Sequence, residues 1–228
     1  SRRAERMIET LRSTGLSKYN LGGAVTLDGL PEGPRILVPG QVEDDASIKA
    51  GTDRISTNLD LLQATRDANP DAVILYKPHP DVEAGLRLGM VDATGLADRV
   101  LTQADPISLL ADVDEVWTMT SLLGFEALVR GVHVVTLGAP FYAGWGLTDD
   151  RGDVPPRRRV DVSLEGLVHA TLIDYPRYFD PRSKLACPVE VVVQRLAEAD
   201  LPHPGLGNRL LAKLQGAFAG KAHLWRKG

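Results

Sequence analysis

RILVPG at 35–40, STNLDLLQATRDANP at 56–70 and AVILYKPHP at 72–80 decide the fold. The first and third are short β-branched or apolar runs closed by proline or glycine, the pattern of a strand covered on both faces. The stretch between them reads as a helix, ended by Pro70. The same alternation continues through RVLTQ (99–103), PISLLADV (106–113), EVWTMT (115–120), SLLGFEALVRG (121–131) and HVVTLG (133–138), with Pro106 in one helix's first turn and Gly131 just past another. Such a run predicts an α/β fold: a doubly wound, Rossmann-like parallel sheet with helices on both faces.

Outward from this core, the reading divides the chain in three. Residues 1–33 form a connector helix and linker, with Met7, Ile8 and Leu11 on one helix face and a turn-like KYNLGG at 18–23. Residues 34–160 form the Rossmann-like domain. Residues 161–228 supply appended C-terminal helices from SLEGLVHATLIDYP, PVEVVVQRLAEAD and the basic-ended NRLLAKLQGAFAGKAHLWRK, packed on the domain or toward a missing half. The chain opens in a charged helix without an initiator Met, which reads as a piece of a longer protein.

With 228 residues, 43% apolar and 25% charged, the composition is that of a globular domain. A net charge of −4 with no basic stripe interleaved with aromatics argues against nucleic acid as a partner. The one cysteine, Cys187, excludes a disulfide framework or a cysteine metal cluster within the chain and fits a reducing compartment, so the expected location is the cytoplasm. No run reaches the roughly 18 apolar residues of a membrane span. Trp225, among the basic residues of KAHLWRKG (221–228), suits peripheral contact with an anionic membrane surface, or simply a terminus.

In an open parallel sheet the ligand lies beyond the carboxyl ends of the strands. Three polar clusters fall there: Gln41, Glu43, Asp44 and Asp45 after the first strand; Lys77, Pro78, His79 and Pro80 after the second; Thr118, Thr120 and Ser121 after EVW. The prolines of KPHP fix the backbone around His79, making it a rigid donor suited to a phosphate. Thr120 and Ser121 start a helix, where free N–H groups and the helix dipole favour an anion, although Ser and Thr at such a place also serve as plain N-caps. Glu126, one to two turns in, is placed to meet ribose hydroxyls. Sugar transfer uses a carboxylate as nucleophile or base; of Asp44 and Asp45, which project differently, at most one is expected in the cleft. The acidic run also suits a helix start. Its spacing matches no metal-binding pattern, so no metal is expected. APFYAGWGLTDD (139–150) has the composition of a loop that closes over a sugar or base, or of a structured turn, and Arg157, Arg158 and Arg159 read as a solvated loop or as contacts to an acidic acceptor or lipid headgroup.

Taken together, PGQVEDDASI (39–48), NLDLLQATRDANPDAVILYKPHPDVEAG (58–85) and residues 118–150 resemble the capsule polysaccharide synthesis family, including its KpsC-type β-Kdo transferases. YPRYFDP (175–181) is similar as well. The resemblance implies the donor half of a two-domain GT-B transferase that takes 3-deoxy-D-manno-oct-2-ulosonic acid (Kdo) from CMP-β-Kdo with retention of configuration and without metal or other cofactor. It implies that Lys77, His79 and Pro80 (the HP motif), Thr120, Ser121 and Glu126 bind the nucleotide. By the same resemblance Asp45, preferred over Asp44, is the catalytic carboxylate, with Gln41 and Asp44 beside it. The implied partners are an amino-terminal acceptor domain or second module of the same protein and a Kdo-phosphatidylglycerol-type acceptor at the inner face of the cytoplasmic membrane. The short amino end departs from the family, because most of an acceptor domain is missing; the basic helical ending favours the second of two modules. Two other readings stay open: a nucleotide-sugar epimerase of the same fold, which would use a UDP-sugar, and a non-catalytic CMP-sugar-binding assembly module.

Overall fold

The computed structural model describes residues 1–16, 27–102, 104–158 and 160–200. They fall into two compact units, Ser1–Tyr175 and a second beginning at Pro176. The first unit is built on six strands: β1 (Arg35–Pro39), β2 (Val73–Lys77), β3 (Arg99–Val100), β4 (Glu115–Thr118), β5 (His133–Thr136) and β6 (Asp149–Asp150). Their order is β3-β2-β1-β4-β5-β6, and every pairing is parallel. The chain therefore winds outward in one direction from β1 and returns to wind the other way from β4. Between those two strands lies the switch point of the sheet.

Side chains along each strand alternate in direction, and both sets are buried. Ile36, Val38, Ile74, Tyr76, Trp117 and Val135 share a core with Ile48 of helix α2 (Ala46–Gly51) and Leu61 and Leu62 of α3 (Asn58–Ala68). The intervening Leu37, Leu75, Val116 and Val134 are no more than 1% exposed, so the opposite face is covered too. Right-handed crossovers require this, because β1 to β2 and β4 to β5 travel in opposite directions along the sheet. The second crossover is α6 (Leu122–Arg130), whose Leu123, Phe125, Ala127, Leu128 and Val129 are buried. Pro80–Glu83 (α4) and Pro106–Leu109 (α5) are single turns that open on proline.

The helix read as a connector, α1 (Arg2–Thr14), lies against α6 and against α7 (Leu164–Val168), with Ala4, Met7 and Ile8 buried. It is fastened at its carboxyl end: Arg12 Nε donates to Val129 O at 2.5 Å, and Arg130 Nη2 donates to Leu16 O at 3.0 Å. Helix α7 continues as a π-helical turn over His169–Asp174. In the second unit, Tyr178–Asp180 (β7) and Leu185–Cys187 (β8) pair antiparallel and are followed by α8 (Val189–Ala197). Sequence reading missed this hairpin, since three-residue strands around Pro181 offer too short an alternation to detect. Asp180 anchors its turn by accepting from Arg182 N, which holds the carboxyl at about 2. The basic last helix and Trp225 lie outside the described residues.

The loop between β5 and β6 is pinned rather than open. Tyr142 is fully buried and its hydroxyl donates to Ser121 O at 2.6 Å. Arg158 donates from Nη1 to Pro140 O at 2.5 Å and Ala143 O at 2.8 Å, so this arginine is not the solvated residue that its sequence suggested. Room for Tyr142 depends on Gly124 of α6, where any Cβ would overlap the tyrosine hydroxyl. Glycine to alanine inside a helix ordinarily stabilises by up to about 1 kcal/mol. Here the overlap decides the sign: Gly124→Ala is expected to lower the unfolding free energy by about 1–3 kcal/mol in urea denaturation, more than Tyr142→Phe, which loses only a hydrogen bond of about 1 kcal/mol. A neutral Gly124→Ala would show that the loop yields easily.

Candidate active site

A cavity of about 340 Å3 opens at the carboxyl edge of the sheet, over the switch point. Its walls come from the segments that leave β1 (Pro39–Val42, Asp45, Ser47), β2 (Lys77–Pro80) and β4 (Thr120–Leu123, Glu126), with Pro106 and Phe141 at its side. Of the expected residues, Gln41, Asp45, Lys77, His79, Pro80, Thr120, Ser121 and Glu126 all line it; Asp44 does not.

The three successive carboxylates have three separate jobs. Glu43 accepts from the Asn58 backbone N–H at 2.8 Å and so fastens the start of α3. Asp44 accepts from Arg87 Nη2 at 2.8 Å and Nε at 3.3 Å, and this bond holds its carboxyl below the usual carboxylate range. Asp45 is the N-cap of α2, its Oδ1 accepting from Ala46 N at 2.7 Å, while Oδ2 accepts from the Ser47 hydroxyl at a long 3.4 Å, its one partner among the described residues. Capping and cleft, expected of different residues, belong here to one. The cap fixes the carboxylate's direction and leaves Oδ2 for chemistry.

Lys77 and His79 follow from β2. Lys77 is 5% exposed; Nζ donates to Pro78 O at 3.1 Å and lies 3.9 Å from Glu83. Burial pushes its pKa down, and Glu83 and Asp105 pull it partly back. His79 caps α4: Nδ1 accepts from Asp81 N at 3.2 Å, with Pro80 in the helix's first position. An accepting Nδ1 assigns the proton of the neutral ring to Nε2. Thus the two prolines and the cap together turn one donor edge of the imidazole to a fixed direction.

The start of α6 departs from expectation. Its amides are mostly engaged: Thr120 N donates to Gln41 Oε1, Ser121 N to Thr118 Oγ1, Leu123 N to Ser121 Oγ and Gly124 N to Ser121 O. Leu122 N–H is the amide of this turn without an acceptor among the described residues. Ser121 is the N-cap, so its hydroxyl serves the helix first. Gln41 sits behind Thr120 as a brace, with Nε2 donating to Thr120 Oγ1 at 2.9 Å and Oε1 also accepting from the Thr118 hydroxyl at 3.2 Å. Gln41 thus lines the cavity with both ends of its side-chain amide already engaged. Sequence reading missed Asn58, which is fully buried and grips Gln41's backbone; its position at the head of a helix was the one signal. Among the described residues no three His, Cys, Asp or Glu side chains converge to hold a metal ion, and no helix is long and apolar enough to cross a membrane.

A doubly wound parallel sheet with an anion-suited crevice over its switch point defines a Rossmann-type α/β domain. The family model of the capsule polysaccharide biosynthesis proteins matches residues 4–178, and the chain belongs to that family. It is 47% identical over 196 residues to the capsule polysaccharide modification protein LipA of Neisseria meningitidis serogroup A, covering 85% of this chain and 28% of LipA. It is 48% identical over 181 residues to the lipopolysaccharide-processing protein LpsZ of Rhizobium meliloti, covering 77% and 41%. Two solved structures of Thermosulfurimonas dismutans KpsC share the fold. The β Kdo 2,4 transferase has a TM-score of 0.78 and 33% identity over 86% of this chain and 62% of that one. For the β Kdo 2,7 transferase the values are 0.73, 37%, 88% and 61%. The chain spans less than half the length of these curated relatives.

A buried ammonium opposes folding, because water would solvate it better. Lys77→Met is therefore expected to raise the melting temperature by roughly 2–4 °C, about 1 kcal/mol for a chain this size, while weakening any anion held in the cavity. The cost of the lysine is in full force below its lowered pKa and fades as pH climbs through it toward the ordinary 10.5. The advantage of methionine should accordingly shrink as pH rises toward 10.5. A lower melting temperature for Lys77→Met would mean that the ammonium is a net structural asset.

Proposed function

We propose that this chain is the donor-binding half of a retaining glycosyltransferase that transfers Kdo from CMP-β-Kdo to a growing β-Kdo linker on a phosphatidylglycerol-type lipid. The observation that carries the reading is the make-up of one cavity, in which Lys77, His79 and Thr120 provide positive charge and donors while Asp45 presents a carboxylate with one lightly engaged oxygen. Relationship to structures named as β Kdo transferases supports the choice of sugar. In this reading the acceptor domain belongs to another part of a longer protein, and transfer takes place at the cytoplasmic face of the membrane.

The chemistry is a double displacement. Asp45 Oδ2 attacks the anomeric carbon, the bond from that carbon to the phosphate oxygen breaks, and CMP departs with the electron pair. The charge that grows on the phosphate is met by the Lys77 ammonium, the His79 Nε2–H, the Thr120 hydroxyl and the Leu122 amide, donors fixed before the reaction starts. No metal takes part. The acceptor hydroxyl then attacks the same carbon from the opposite side, loses its proton, and releases the Asp45 carboxylate, so two inversions give retention. Glu126 holds the ribose.

Calorimetric titration of the chain with CMP and with UDP, without added metal, is expected to give selective CMP binding that His79→Ala weakens by about tenfold or more. Equal or tighter UDP binding would turn the reading toward a nucleotide-sugar epimerase, and binding of neither would end it. In the intact protein with acceptor, Asp45→Asn is expected to cut transfer about a thousandfold while CMP affinity stays within a few-fold. Turnover near that of the unaltered protein would end the nucleophile role.

A further inference from the structure

Asn58 is fully buried at the head of α3 and is not among the residues that line the cavity at the sheet edge. Its side chain nonetheless makes the bonds of a peptide group. Oδ1 accepts from Gln41 N at 2.8 Å, and Nδ2 donates to Gln41 O at 2.8 Å and to Gly89 O at 2.9 Å. The need for such a substitute comes from the topology. β1 pairs with β2 up to Pro39 on one side and with β4 up to Leu37 on the other. Gly40 N still reaches Lys77 O at 2.7 Å, and at Gln41 the chain has passed beyond both neighbours. A buried backbone N–H and C=O would there lack partners, which a folded protein rarely tolerates. The Asn58 amide supplies both and extends the ladder by one residue into the switch point.

What that fixes is the direction of the Gln41 side chain. From a clamped backbone, Gln41 reaches across the crevice and holds Thr120 by its N–H and its hydroxyl, so a segment leaving β1 sets the position of a segment leaving β4. The packing is close: Gly89, at φ +129°, lies where a Cβ would come within 2.7 Å of both Asn58 Nδ2 and Gln41 O. Nothing larger than glycine fits at that point, so the clamp has no slack on its far side.

We infer that Asn58 is a positioning residue that, through Gln41, holds the Thr120 hydroxyl in place for the leaving phosphate. Its effect on the ligand rests on the donor-site reading above; its effect on Thr120 does not. The test therefore has two arms, run on the 228-residue chain at a temperature well below the melting point of each variant. In the first, without nucleotide, amide hydrogen exchange at Thr120 is measured by NMR in the unaltered protein and in Asn58→Ala and Asn58→Asp. Exchange at Thr120 is expected to rise at least tenfold in both variants, while amides of β5 stay protected. Unchanged Thr120 exchange in variants that have lost the Asn58 amide would overturn the brace.

The second arm is a double-mutant cycle on CMP affinity between Asn58→Ala and Thr120→Ala. A residue acting through Thr120 should cost about tenfold in the unaltered background and little once Thr120 is alanine. A residue that merely supports the fold costs the same in both backgrounds, and such additivity would sink the positioning role. If the unaltered chain binds no CMP while Thr120 exchange responds as expected, the donor reading fails and the brace stands. Protection of the β5 amides in both variants guards against simple unfolding; Asn58→Asp keeps the size and the Oδ1 acceptor but sets a carboxylate against the Gln41 and Gly89 carbonyls.

Discussion

Two parallel strands have to part before anything can sit between them. β1 stays paired with β2 as far as Pro39 but with β4 only as far as Leu37, opposite Val116, and beyond those residues its backbone loses its strand partners. The cavity exists because the divergence is real, and it keeps a shape because side-chain amides take over from the missing strands. Asn58 serves Gln41, Gln41 serves Thr120, and Thr118 serves Ser121. Each link satisfies a buried or half-buried polar group, so each is both a condition of folding and a constraint on the site.

That dual use explains why the site's chemistry is carried by so few groups. At the start of α6 the amides that looked free in the sequence are consumed by the local network. Among the acidic residues, Glu43 and Asp44 are consumed by Asn58 N and Arg87. Lining the cavity are the carboxylates of Asp45 and Glu126, the Lys77 ammonium, the His79 imidazole and the Thr120 hydroxyl. Burial of Lys77 is a cost to stability that Pro78 O and Glu83 offset only in part, since its pKa stays lowered, and an anionic ligand would offset it further.

The sheet, its order of elements and the place of the crevice were legible in the sequence because each rests on a local regularity. RILVP and VILYK are short, doubly apolar runs, and the segment between them is a capped helix. Every strand-end cluster singled out for chemistry reaches the cavity wall. The assignment of tasks within the clusters was not legible. Whether Asp44 or Asp45 faces inward depends on Arg87, which is 43 positions from Asp44 and carries no local signal. The brace role of Gln41 depends on Thr120, 79 positions away. Asn58 looked like any polar residue opening a helix, since its burial follows from Gly89 and the path of the 84–90 segment rather than from its own neighbours. The short hairpin beyond Pro176 was missed for want of enough residues to show a period.

The position of Asp45 follows from the same logic. It caps α2, a helix of six residues, which cannot hold its own orientation and takes it from what it touches. At its far end Gly51 O accepts from Ala139 N at 2.7 Å, in the segment after β5, and Gly51 packs so closely on the Thr120 methyl that a Cβ there would come within 2.9 Å of it. The far end of helix α2 is thus wedged between the segments leaving β4 and β5, so its orientation is tied to Thr120. The carboxylate proposed to attack the sugar and the hydroxyl proposed to hold the departing phosphate are in this way referenced to a single point. In a displacement the attacking and leaving atoms must stay in line on either side of one carbon, and a misplacement of about 1 Å can cost a hundredfold in rate. Tying both to Thr120 means that distortion of the sheet edge carries the two groups together instead of pulling them apart.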